Sequence, residues 1–125
     1  MSILGNRHVL VVDDSPTGRQ AAMNLLEKRG YHVTTAVDGA DALEKILAGK
    51  PPLVVLDIVL PKMNGYEVLR HLKSSEATRG IKVILVSSKS QESDRFWGLK
   101  QGADDYIAKP YPEDALAAAV ARHFS

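Results

Sequence analysis

Asp13, Asp14, Asp57, Ser87 and Lys109 are the residues of this sequence whose types and positions suit them to chemistry. Val9-Leu10-Val11-Val12 runs into Asp13-Asp14, and Leu53-Val54-Val55-Leu56 runs into Asp57. Ile81 to Val86 runs into Ser87-Ser88, and a weaker run, Asp105 to Ala108, leads into Lys109-Pro110. Alone, an Asp after a strand is a turn former or helix cap, and a Lys before a turn is a surface group. Together they imply more. Three carboxylates drawn to one place repel one another unless a cation sits among them. Carboxylate oxygens suit a hard ion, and Mg²⁺ prefers six oxygens with some of them water. An aspartate held beside such a charge can attack phosphorus. Phosphoryl transfer needs alignment and charge neutralisation above all, for which Lys109 offers a fixed cation and Ser87 a hydroxyl donor.

The elements that must position these groups alternate in type. The three strong apolar runs are near-continuous and β-branched, as parallel strands buried on both faces require. Tyr31 to Ala36 and Asp105 to Ala108 are weaker strands. Between them lie helical patterns. Ser15-Pro16 reads as a cap followed by Pro in the first turn, with Ala22, Leu25, Leu26 and Arg29 at helical spacing and Gly30 as the stop. Asp41 to Leu47 groups Ala42, Leu43, Ile46 and Leu47, closed by Gly49 and Pro51-Pro52. Asn64 to Lys73 groups Val68, Leu69 and Leu72, and Gln91 to Gln101 puts Phe96, Leu99 and Ala103 on one stripe expected to face the core. Glu113 to Phe124 is Ala-rich. Strand then helix, five times over, predicts an α/β doubly wound parallel sheet with helices on both faces. Ligand sites in such sheets form at the carboxyl ends of strands, where the polar residues fall.

Length and composition set bounds. The 125 residues form one expected domain, 1–125, without linker or repeat. Sixteen Lys and Arg against fifteen Asp and Glu give a formal net charge of +1, which offers no pull toward nucleic acid or anionic membrane. The absence of cysteine excludes disulfides, thiol catalysis and Cys-based zinc sites. Residues 1–8 lack a signal-peptide apolar run and no run is long enough to span a bilayer, so a cytoplasmic location is expected. His8, His32, His71 and His123 show no metal spacing and read as surface or strand-end residues.

Asp13-Asp14, Asp57 with the following Leu60-Pro61-Lys62-Met63-Asn64-Gly65, Ser87 and Lys109-Pro110 resemble the response regulator receiver family, from about Val9 to the C-terminus. The resemblance implies a flavodoxin-like (βα)₅ domain with strand order 2-1-3-4-5. It implies that Asp57 is the phosphoacceptor and that Asp13, Asp14, Asp57 and the Val59 backbone carbonyl hold Mg²⁺. Asp14 is then the direct ligand and Asp13 acts through water. Ser87 and Tyr106 match the switch residues, Lys109 the lysine that meets the phosphoryl group, and the Lys109-Pro110 bond is expected to be cis. Gly65 would take the positive φ of the turn after the phosphorylation loop. Phosphate would come from a sensor histidine kinase or a histidine phosphotransfer domain. Val59 departs from the polar residue common at its position, so with Lys89 flanking the same opening an atypical autodephosphorylation rate is expected.

The implied output is a two-state change. Ser87 moves toward the phosphate, Tyr106 turns inward from a solvent-facing rotamer, and the face of the fourth helix, fifth strand and fifth helix alters for a downstream protein. Tyr106 also reads as a plain core aromatic. Trp97 falls off the Phe96 stripe and either packs against the third helix or anchors a partner. Residues 96–103 resemble stand-alone regulators of type IV pilus twitching motility. The chain stops after the fifth helix, so no output domain is expected, and the domain is a monomer or a phosphorylation-dependent dimer. It is expected not to be a turnover enzyme. A phosphatase with an aspartyl nucleophile would place a second acid where Val59 stands, and a receiver that works without phosphate would not keep the full acidic set.

Overall fold

Five apolar runs become strands and the amphipathic stretches between them become helices. In a computed structural model, which describes residues 6–89 and 91–124, these are β1 (His8–Val12), α1 (Pro16–Glu27), β2 (His32–Ala36), α2 (Gly39–Gly49) and β3 (Leu53–Asp57). They continue as α3 (Gly65–Lys73), β4 (Lys82–Ser87), α4 (Glu92–Lys100), β5 (Asp105–Ala108) and α5 (Glu113–Phe124). Of the N-terminal stretch read for a signal peptide, residues 1–5 lie outside the described residues. All strand pairs are parallel, in the order β2-β1-β3-β4-β5. Among the described residues no helix is long and apolar enough to cross a membrane.

Side chains alternate across the sheet. Leu10, Val12, Val54, Leu56, Val83 and Leu85 bury one face beneath Ala42 and Ile46 of α2 and Val68, Leu69 and Leu72 of α3. Val9, Val11, Val55, Ile84 and Val86 bury the other beneath Ala22, Leu25 and Leu26 of α1 and Leu116, Ala119 and Val120 of α5. Each buried Val, Leu or Ile among them contributes roughly 1.5–3 kcal/mol against conformational entropy. Burial on both faces explains why the strands read as continuous apolar runs.

Local signals set the ends. The Ser15 hydroxyl accepts from the Gly18 N–H at 3.3 Å and caps α1, and Asn64 accepts from the Glu67 N–H at 3.0 Å and caps α3. Helix α2 starts two residues before the expected Asp41, because Asp38 caps it by accepting from the Asp41 N–H at 2.7 Å. Gly49 does not close α2. It is the last helical residue, and Lys50 takes the left-handed conformation with φ 42°.

Of the stripe expected to face the core, Ala103, just beyond the end of α4, is buried, but the two residues on the helix itself are not. Phe96 is 66% exposed, Leu99 37% and Trp97 52%. The residue of α4 that turns inward is Gly98, so the helix rides on its glycine and presents its large apolar side chains outward. Leu47, grouped with the core face of α2, is likewise exposed.

Candidate functional site

The order β2-β1-β3 reverses the winding between β1 and β3, and the crevice beyond their carboxyl ends is where such sheets bind ligands. Val12 of β1 is level with Leu56 of β3. The next residues on the two strands are Asp13 and Asp57, so the register alone sets two carboxylates side by side. Asp13, Asp14 and Asp57 each offer a carboxylate oxygen within 4.8 Å of the others; Asp13 and Asp57 are buried and Asp14 is exposed.

Each group is held by neighbours that the strand ends supply. Asp13 Oδ1 accepts from the Ser15 N–H at 2.9 Å, and the Arg19 guanidinium donates to the Asp13 carbonyl at 2.8 Å. Asp57 Oδ1 accepts from the Val59 N–H at 3.4 Å. Lys109 Nζ donates to Asp57 Oδ2 at 2.9 Å and to Asp13 Oδ2 at 3.3 Å. The Lys109 backbone is tied to β4 by its N–H donating to the Ser87 carbonyl at 2.7 Å, and the Lys109-Pro110 bond is cis as expected. Val59 is 61% exposed at the rim. A groove of about 440 Å³ opens beside Lys109 and Asp13, bounded by Ala21 and Leu25 of α1 and by Tyr111.

Electrostatics follow from this packing. Burial pushes the Asp57 carboxyl above its ordinary pKa; Lys109 pulls the other way without cancelling it, and Asp13 adds to the rise. Burial opposes the Lys109 charge, but Asp57 and Asp13 outweigh it and raise its pKa. The donor set is all carboxylate, with an excess of negative charge over the one ammonium, and so fits a hard divalent cation such as Mg²⁺.

Ser87 and Tyr106, the expected switch pair, sit on the neighbouring strands β4 and β5. Ser87 is fully buried, and its Oγ accepts from the Lys89 N–H at 3.1 Å. Tyr106 occupies the inward position, 3% exposed, rather than the solvent-facing rotamer from which it is expected to turn, and its hydroxyl donates to the Lys89 carbonyl at 2.9 Å. The loop at Lys89 therefore meets both.

One turn residue is corrected. Gly65 does not have a positive φ; in the loop after Asp57 that conformation falls to Lys62, at 68°. Gly65 is required for closeness instead, since a Cβ there would collide with the Asp57 carbonyl and Ile58 Cα. Beyond the expected site residues, Arg19 donates to the Asp13 carbonyl, Gly18 lies where a Cβ would meet Asp13 Oδ2, and Arg95, Asp105 and Arg122 form a charged cluster beside Tyr106. The available signal was a glycine inside a helix, at 18 and again at 98, where only close approach justifies one.

Comparison with known proteins agrees with this geometry. The model of the response regulator receiver domain matches residues 9–121. The chain belongs to that family. Protein PilH of Pseudomonas aeruginosa is 43% identical over 108 residues, covering 86% of this chain and 89% of PilH. Protein PilG of the same organism is 39% identical over 115 residues, covering 92% of this chain and 85% of PilG. The receiver domain of the Francisella response regulator 1452 superposes with a TM-score of 0.89 at 31% identity, covering 94% of this chain and 95% of that one. The chain is thus a receiver domain of a two-component response regulator, with the fold the sequence led us to expect.

Proposed function

We propose that this receiver is a phosphorylation-dependent switch in which Asp57 accepts a phosphoryl group from a histidine kinase or histidine phosphotransfer protein. One observation carries the reading: a single ammonium, Lys109 Nζ, lies within hydrogen-bond distance of both Asp57 and Asp13, with Asp14 completing the acidic set. Asp13, Asp14, Asp57 and the Val59 carbonyl would hold Mg²⁺. When bound, that ion supplies positive charge against the phosphoryl oxygens.

The residues of the chain do the rest. A carboxylate oxygen of Asp57 forms the new O–P bond as the N–P bond of the donor phosphohistidine breaks, and the imidazole nitrogen leaves with the electron pair. Lys109 orients Asp57 and then faces the added charge, while Ser87 donates its hydroxyl to a phosphoryl oxygen. Moving Ser87 Oγ off the Lys89 N–H resets the loop whose carbonyl accepts from the inward Tyr106, and so couples the phosphoryl group to the ring. The change is then displayed on the face of α4, β5 and α5 to a downstream protein. The acyl phosphate is a stored state rather than a turnover intermediate, so the domain acts as a switch and not as an enzyme. A cytoplasmic pathway of the chemotaxis-like or twitching-motility class accords with the similarity to PilH and PilG.

Acetyl phosphate with Mg²⁺, followed by intact-mass measurement, tests this. One phosphate adduct is expected, absent in Asp57→Ala. Sustained turnover of a free phosphate ester would support a phosphatase instead, and no adduct under any condition would remove the proposal.

A further inference from the structure

Helix α4 is seated on the body of the protein through very little. Of its nine residues only Gly98 is buried. A Cβ added at Gly98 would lie 2.8 Å from Tyr106 Cδ2 and 3.0 Å from Leu85 Cδ1, so the helix backbone itself rests on the tyrosine ring. Leu85 is fully buried and Tyr106 sits on β5, so neither neighbour is the loose end of a surface chain. Two further bonds tie the same tyrosine to the same stretch. Its hydroxyl donates to the Lys89 carbonyl ahead of α4, and its carbonyl accepts from Arg95 on the helix at 2.8 Å. Glycine inside a helix is unfavourable relative to alanine. Here the close seat on Tyr106 is what it gives in return.

We infer that Gly98 is the positioning residue of the Tyr106 switch: α4 seats on the body only because position 98 has no side chain to compete with the inward ring. This rests on the reading of Tyr106 as the switch residue and deepens it. The inward ring and the seated helix are one packing unit. A side chain at 98 forces a choice between them, because close-packed contacts of this kind change in steps rather than by gradual deformation. Phe96 and Trp97, exposed on α4, are carried with the helix. A protein that grips them on the seated helix favours the inward ring, and by reciprocity a modification that favours the inward ring favours that protein.

The experiment is a double-mutant cycle on the full chain, Gly98→Ala with and without Tyr106→Ala. It is read by thermal midpoint and by the emission of Trp97, the sole tryptophan, which adjoins Gly98. With Tyr106 present, Gly98→Ala is expected to lower the midpoint by about 4 °C or more and to shift Trp97 emission. In the Tyr106→Ala background the same change leaves the midpoint level or raises it, since alanine is the better helix former. Equal effects in both backgrounds overturn the inference. If Gly98→Ala alone does not fold, folded protein from the double variant supports it, and failure of the double variant where Tyr106→Ala alone folds overturns it. The underlying reading is judged separately. If acetyl phosphate with Mg²⁺ changes Trp97 emission equally in wild type and Tyr106→Ala, Tyr106 is not the switch, whatever the cycle shows.

Discussion

Lys109 Nζ stands 2.9 Å from Asp57 Oδ2, the only ammonium among the described residues placed within hydrogen-bond distance of that carboxylate. It is shared with Asp13 at 3.3 Å. One cation therefore compensates two buried carboxylates from adjacent strands, while Asp14 at the rim adds further negative charge. Negative charge therefore exceeds positive charge at the site, which places it under electrostatic load.

That load gives a pH dependence in metal-free buffer. Burial, opposed by Lys109, raises the Asp57 pKa in the folded protein. Over the window from about 3.9, where an unfolded Asp ionises, up to the raised folded value, the native state binds more protons than the unfolded state. Stability contributed by the protonated group is complete below that window and is lost as pH rises through it. Asp57→Asn does not titrate. Urea unfolding with EDTA should show the variant gaining on wild type as pH rises from the acid side toward neutrality. A wild type that gains on Asp57→Asn would mean that the Lys109 pair outweighs burial.

Gly18 should matter to metal affinity although it touches no metal. A Cβ there would lie 2.6 Å from Asp13 Oδ2, an oxygen already held by Lys109. In most helices Gly→Ala stabilises by about 0.5–1 kcal/mol. Here the methyl group would turn the Asp13 carboxylate out of place. Gly18→Ala is expected to weaken Mg²⁺ binding about tenfold, or ~1.4 kcal/mol, by calorimetry. An unchanged dissociation constant would show that Asp13 keeps its place without the glycine.

How much of this could be read beforehand depended on the kind of feature. Asp13, Asp57, Ser87 and Lys109 were legible because each ends a strand whose apolar run is plain, and the topology gathers strand ends. The strand order was legible only through resemblance to a family, since alternation fixes the parallel sheet and not which strands are neighbours. On α4 the helical spacing of Phe96 and Leu99 with the buried Ala103 points to the wrong face. Periodicity counts apolar residues and gives no weight to glycine, and here the inward position is Gly98. Gly65 was given the right place and the wrong reason, because a turn glycine is read as a φ requirement, whereas this one is a clearance requirement met beside Asp57.

The cluster around Asp105 should support the α4–β5–α5 face. Its buried carboxylate accepts from the Tyr106 N–H at 3.0 Å, pairs with Arg122, and lies 3.2 Å from His123 and 3.8 Å from Arg95. Burial alone would raise its pKa, but Arg122, the Tyr106 N–H and His123 outweigh it and lower the value. A lowered carboxylate pKa contributes stability that is present above about 3.9 and lost as pH falls through the folded value. Arg122→Ala is expected to cost about 1–3 kcal/mol at neutral pH, because Asp105 stays behind with fewer partners. The cost should shrink toward the acid end of a denaturant series. A pH-independent loss would point to lost packing of the arginine stem.

Val59 bears on how long the proposed acyl phosphate lasts. Its N–H touches Asp57 Oδ1 and its side chain is exposed two residues beyond that carboxylate, and Lys89, two residues after Ser87, is exposed as well. An isopropyl group offers water no hydrogen bond, whereas an amide would offer a donor and an acceptor close to the attack path. Water held there loses less freedom on reaching the transition state. Val59→Asn should therefore shorten the half-life of the phosphorylated protein by about threefold or more, which corresponds to roughly 0.7 kcal/mol in the barrier. Decay is followed by intact mass after removal of acetyl phosphate, at fixed Mg²⁺. Because the substitution leaves Asp13, Asp14, Asp57 and Lys109 in place, a change in half-life with equal initial adduct yield assigns the effect to water access. Identical half-lives would remove Val59 from any part in it.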